Sequence, residues 1–222
     1  MLFPQSYAVI TTNPGLVKMF YHTENDKAFV TASSMAAFNT DEGYVVLLNK
    51  ELEVIDEFHY FEGLHSKLLN DFKGVSLERI NPELESSSAS TWHSAAQTIG
   101  FATPTYKNSQ WVELSKKEDE FVLAPEIFSP DGDGKDDYLV ISFKLPNEGS
   151  VANIRIFDSG GMEVKRLTSS LLIGTEGAIT WDGLDNKNQR LPIGIYIVYI
   201  EYFNPNGEVK KYKKTCVVAE KL

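Results

Sequence analysis

Cysteine is nearly missing from this sequence: 222 residues hold one, Cys216. A single thiol excludes an internal disulfide and any paired-cysteine metal or redox motif. Its place in the alternating run YKKTCVV reads as that of a buried small hydrophobe. Cationic residues are the second shortage. Lys and Arg number 21 against 31 Asp and Glu, for a net charge of −10 and a pI near 4.9. Binding to a nucleic-acid backbone needs clustered Lys and Arg that displace counterions, so no nucleic-acid partner is expected. An anionic membrane surface is disfavoured for the same reason, and neither half of the chain is basic when taken alone.

Long apolar runs are also absent. No stretch approaches the ~20 consecutive apolar residues of a transmembrane helix. The opening MLFPQSYAVITTNPG lacks the charged start and apolar core of a signal peptide. Either the chain is cytoplasmic, or it is a mature or trimmed piece of a longer protein, with any signal peptide upstream. Helical periodicity is scarce: the best candidate is 62–72, where a turn or two is expected.

The chemistry of catalysis is thin as well. There is no Gly-rich phosphate loop, nucleophile elbow or kinase motif. Of the four histidines, His59 and His65 could join Asp56 or Glu62 around a metal, but their spacing matches no zinc motif. His93 stands beside Ser94, yet adjacent strand residues point to opposite faces and make a poor nucleophile pair. Both histidine pairs read more simply as polar residues of a β domain. No catalytic residue is assigned, and the chain is expected not to be an enzyme.

What the sequence does hold is β structure. The apolar share of 42% and aromatic share of 12% suit a packed globular chain. Short β-branched and aromatic runs alternate with Gly, Pro, Asn and Asp: YAVIT, GYVVLLN, LVISFKL, ANIRIFD, GAITW and IYIVYIEYF. DSGG at 158–161 and NPNG at 204–207 are hairpin turns by composition. In the last strand Tyr212, Cys216 and Val218 share one face, with Lys211 and Lys213 on the other as edge protection. The charged run SKKEDE predicts a boundary near residue 118. The fold class is therefore all-β, two tandem Ig-like β-sandwich domains at 1–118 and 119–222.

FSPDGDGKDD, at 128–137, is the densest acidic cluster. Asp131, Asp133, Asp136 and Asp137 could supply the hard oxygen ligands of calcium. Against that, Lys135 occupies a ligand position of an EF-hand loop and no glutamate closes it. The alternative is a rigid turn in which the aspartates accept local backbone amides. A catalytic carboxylate pair is the least favoured of the three readings, because an open Gly-rich loop offers no burial to raise one pKa.

Two family resemblances follow from quoted residues. WDGLDNKNQRLPIGIYIVYIEYF, together with FSPDGDGKDD and NIRIFDSGGMEVKRL in that order, resembles the Ig-like domain of the flagellar hook-cap protein. It is equally similar to the gliding-motility-associated C-terminal modules of Bacteroidetes, over about 121–219. Earlier, Ser76, Leu77, Glu78 and Arg79, then Trp92, Ser94, Ala95, Thr103, Pro104, Asn108 and Ser109 resemble the end of a bacterial lamin-tail domain. GYVVLLNKELEVIDEFHY resembles an internal strand pair of that family. Thr105 stands where the family more often has Gly, and the family's opening strands have no counterpart, so that sandwich is expected to be truncated and to expose an edge. In SLER, Glu78 or Arg79 is expected to form a structural ion pair or cap backbone groups.

The resemblances imply a non-catalytic module of a secreted or cell-surface bacterial protein, serving adhesion, spacing, attachment or secretion sorting. The alternative they imply is an accessory region of an extracellular hydrolase or nuclease with its catalytic domain upstream. The ligand would be a protein or a surface glycan, and an open edge strand invites pairing with another chain.

Overall fold

The computed structural model of the chain describes residues 6–114 and 119–220. It divides into two compact units, Met1–Val112 and Glu113–Leu222. The boundary expected near residue 118 falls on 115–118, outside the described residues. Apart from one α-helix and short 3₁₀ turns, the described residues are strand and loop, as an all-β chain requires. No helix among them is long and apolar enough to cross a membrane.

In the N-terminal unit the elements run β1 (Val9–Thr11), α1 (Pro14–Phe20), β2 (Phe29–Thr31), β3 (Glu42–Leu48), β4 (Val54–Phe61), β5 (Leu77–Arg79) and β6 (Trp92–Ser94). They pair as three two-stranded sheets: β1 parallel to β2, β3 antiparallel to β4, and β5 antiparallel to β6. Helix α1 was not expected, because seven residues are too few to show an amphipathic period. Its signal is at the cap instead. The Asn13 side chain accepts the Leu16 N–H at 3.1 Å, and Pro14 at the first position has no N–H to leave unsatisfied. The segment 62–72 holds a single 3₁₀ turn, Glu62–Leu64.

The C-terminal unit is a two-layer β structure. Its strands are β7 (Phe121–Ala124), β8 (Ile127–Phe128), β9 (Leu139–Lys144), β10 (Ser150–Asp158), β11 (Glu163–Ile173), β12 (Glu176–Trp181), β13 (Gly194–Phe203) and β14 (Val209–Val218). One sheet runs β11-β10-β13-β14-β8 and the other β12-β9-β7. Alternate residues face inward, as the two-residue period of a strand requires. Ala152, Ile154 and Ile156 with Val198, Ile200 and Tyr202 meet Leu139, Ile141, Phe121 and Trp181, all buried in one cluster. DSGG and NPNG close the β10–β11 and β13–β14 hairpins, with Gly161 donating to the Asp158 carbonyl and Gly207 to that of Asn204. On β14, Cys216 and Val218 are buried while Lys211 and Lys213 are exposed, in the alternation expected.

The Cys216 thiol is 1% exposed, and burial pushes its pKa up to about 12. Since the thiolate is the nucleophile, the native chain will resist a thiol reagent at neutral pH and react fully once denatured. Rapid labelling of the native protein would contradict the packing of β14.

Candidate functional site: the acidic loop and its supports

The loop between β8 and β9 is built on its last aspartate. Asp137 is 5% exposed, and its two carboxylate oxygens accept the Gly132 N–H at 2.6 Å and the Gly134 N–H at 2.8 Å. Both glycines lie at positive φ, +80° and +89°, a conformation that a side chain would strain. Asp131 accepts the Asp133 N–H and Asp133 accepts the Lys135 N–H, so each carboxylate turns the backbone that follows it. The Ser129 N–H donates to the Asp136 carbonyl at 2.9 Å and closes the base of the loop.

Three of the four aspartates singled out from sequence converge. Asp131, Asp133 and Asp137 each place a carboxylate oxygen within 4.8 Å of the others. Asp136 is outside that group: it is exposed, at φ +53°. Lys135 is exposed as well.

The loop leans on the segment that follows β12. A Cβ at Gly183 would stand 2.9 Å from Pro130 Cγ, so only glycine permits the approach. Phe128 packs edge-on to Trp181 at 5.4 Å, and Trp181 edge-on to Tyr196 at 5.5 Å. The Trp181 indole N–H donates to the Leu184 carbonyl at 3.0 Å, and the Tyr196 hydroxyl to the Pro192 carbonyl at 2.7 Å. Asp185 accepts the Gln189 and Lys187 N–H groups, and these bonds hold its carboxyl below the usual range. FSPDGDGKDD, WDG and LPIGIY thus form one corner.

The histidine combinations do not assemble. His59 stacks on Tyr44 with centroids 4.3 Å apart and lies 3.8 Å from Glu42, while Asp56 is bound to Arg79 at 2.9 Å. His65 lies elsewhere, its Nδ1 3.0 Å from Ser94 Oγ. That contact was not anticipated, because the only partner considered for Ser94 was its neighbour His93, and that pairing was disfavoured. It makes a poor nucleophile: Ser94 is 4% exposed, its Oγ also accepts the Ser66 N–H, and no carboxylate among the described residues hydrogen-bonds the His65 ring. Burial holds the His93 pKa down to about 3, a neutral ring at physiological pH.

In SLER both readings hold, one for each residue. Glu78, 3% exposed, accepts the Ser109 and Gln110 N–H groups and the Ser109 and Thr103 hydroxyls. Arg79 pairs with Asp56 and donates to the Leu84 carbonyl. A groove of about 390 Å³ runs past Val17, Tyr21, Leu77 and Glu78. The carboxylate on its wall is already committed to those four donors.

The model of the CHU_C type IX secretion signal domain family matches residues 122–218. No curated protein matches the chain. Among solved structures, PorZ, an essential surface component of the type IX secretion system of Porphyromonas gingivalis, is similar at 17% identity and TM-score 0.32, over 52% of this chain and 13% of that one. FlgD from P. aeruginosa is similar at 21% identity and TM-score 0.31, over 36% of this chain and 62% of that one. CopC from Methylosinus trichosporium OB3b is similar at 20% identity and TM-score 0.27, over 37% of this chain and 74% of that one. The family match supports reading the C-terminal unit as a non-catalytic sorting module of a secreted or cell-surface protein of the Bacteroidetes type.

Asp137→Asn replaces one acceptor oxygen with a donor that faces a glycine N–H. It will lower the stability of the C-terminal unit by about 1–3 kcal/mol, read from denaturant unfolding. A change within error would mean that the carboxylate does not hold the loop.

Proposed function

We propose that the C-terminal unit is the address by which a type IX apparatus exports this protein to the cell surface, and that the N-terminal unit is a lamin-tail-like module serving adhesion or spacing there. The observation that carries the first part is the coincidence of the family match, 122–218, with the strands from β7 to β14. Support for the second is the SLER network, in which the residues of the lamin-tail resemblance, Glu78, Thr103, Asn108 and Ser109, bond to one another. The reading is non-catalytic throughout.

A reporter carrying the full chain at its C-terminus will reach the surface or medium of a bacterium with a working type IX apparatus, and will be retained in a strain lacking it. Retention in both strains sinks the secretion reading.

Within this module the acidic loop is proposed as a weak calcium site, on the convergence of Asp131, Asp133 and Asp137. The backbone donors already seated on these carboxylates and the charge of Lys135 set the affinity low, in the ~10⁻⁴ to 10⁻³ M range of extracellular modules. Millimolar calcium will then stabilise the unit by roughly 0.4–1.4 kcal/mol, an effect that magnesium does not reproduce and that Asp131→Ala with Asp133→Ala abolishes. A flat calcium titration leaves the loop as a rigid turn.

A further inference from the structure

The strand β3 has one bonded edge. Its pairing with β4 sets Glu42 opposite Phe61, Val46 opposite Glu57 and Leu48 opposite Val54. The Glu62 N–H donates to the Asp41 carbonyl and the Asn49 N–H to the Glu53 carbonyl, both at 3.0 Å. These two bonds flank Glu42 and Leu48 and make them non-hydrogen-bonded positions of the hairpin. By the alternation of an antiparallel ladder, Gly43, Val45 and Leu47 bond to β4, while Glu42, Tyr44, Val46 and Leu48 turn N–H and C=O away from it. Among the described residues no strand takes up that outer row.

The side chains of the same strand are out of place on a solvent-facing edge. Tyr44 is 71% exposed, Val46 46% and Leu48 44% on one face, and Val45 44% and Leu47 55% on the other. An apolar run without alternation is the pattern of a strand covered on both faces and paired on both sides. Within the strand there is no Pro and no Lys, and its one irregularity falls between Leu47 and Leu48, so the stretch from Tyr44 to Leu47 has none of the usual means of protecting an edge. Gly43 fits this regularity, since the Tyr60 ring lies across it where a Cβ would be.

We propose that this edge is an interface at which two copies of the chain pair β3 to β3 in an antiparallel sheet continuous across the two hairpins. The outward groups belong to even-numbered residues, so the two copies pair even with even. The register centred on Val46 sets Val46 against its own copy, Tyr44 against Leu48 and Val45 against Leu47, with apolar side chains opposite one another on both faces. It also brings Glu42 of each copy toward Lys50 of the other, which stands in the turn just past β3, 3.5 Å from Glu51, on a side chain long enough to reach across. Glu42 and Lys50 have side chains 70% and 90% exposed, and the twofold axis makes the opposite-charge contact twice. Sliding either copy by two residues loses that contact. The charge match and the apolar match select the same register and the same occupant. The interface stands apart from the secretion reading, because no residue of the C-terminal unit takes part.

Sedimentation equilibrium of the full chain will show a monomer–dimer equilibrium. Glu42→Lys alone and Lys50→Glu alone each set like charges together at both contacts and will weaken the dimer by about tenfold or more. An equimolar mixture of the two variants restores both pairs, as does the double swap in one chain, and both will associate as the unsubstituted chain does. Circular-dichroism melts confirm that each variant is folded, and recovery in the mixture separates lost pairing from lost structure. A chain that stays monomeric throughout overturns the proposal. So does a dimer that neither single charge reversal weakens, or one that the mixture fails to restore, since each would place the contact elsewhere.

Discussion

The burial of Trp181 is the constraint on which the C-terminal unit depends. Its indole is 1% exposed and packs edge-on against Phe128 and Tyr196 of the facing sheet. A buried indole must still place its N–H, and the Leu184 carbonyl takes it at 3.0 Å only because the chain turns sharply after Asp182. That turn needs Asp182 to accept the Leu184 N–H. It also needs Gly183 to let Pro130 approach. The acidic loop is therefore packed against the turn by its first residues and held internally by Asp137. The acidity of FSPDGDGKDD has a structural use before any metal is considered: three carboxylates supply acceptors to a loop whose backbone donors would otherwise lack partners.

The N-terminal unit solves the same problem of backbone donors with less apolar material. Around β5 and β6 the buried residues include Glu78, Asn81, Thr91, His93 and Ser94 alongside Ile80 and Leu84. Such a network is stable only if nearly every polar group is satisfied. Glu78 meets that condition with four donors, two of them backbone amides, and the Asn81 side chain donates to the Val112 carbonyl at 2.9 Å. The segment 76–112 is tied together by hydrogen bonds in the way that the C-terminal unit is tied by its apolar layers. Motif residues of SLER and of the run ending in Asn108 and Ser109 are thus explained by what they bond.

Strands were legible where one face is buried and the other wet, because the two-residue period then appears in the sequence. IYIVYIEYF and ANIRIFD are found as β13 and β10 nearly to the residue. Legibility failed where local hydrogen bonding or tertiary packing decides. Helix α1 rests on Asn13 and Pro14, two residues that read equally well as a turn. The eleven-residue β11 runs on through SSLLI, whose polar and exposed residues carry no strand period because bulges break its register with β10. At the acidic loop, composition named the aspartates but could not rank them. Only the fold shows that Asp137 is buried beneath its own loop while Asp136 is exposed.

The two units also differ in how they treat their edges. Strand β14 has Lys210, Lys211, Lys213 and Lys214 along it, and β8 covers it only at Val217 and Val218. Lys210 and Lys214 are drawn to Glu120 and Asp119, at 2.7 Å and 3.5 Å. Hydrogen bonds from Lys210 and from the Tyr212 hydroxyl outweigh burial and hold the Glu120 carboxyl below its usual range. Lysines at such density raise the cost of adding a further strand at that edge. Strand β3 has Glu42 at one end, Lys50 just beyond the other and apolar residues between. An edge lined with lysines, even with acidic partners beside them, disfavours a second copy of itself, whereas an edge with one charge of each sign at its two ends suits the antiparallel pairing proposed for β3. The two edges thus differ in their charge pattern: one is lined with lysines, and the other is apolar between one charge of each sign.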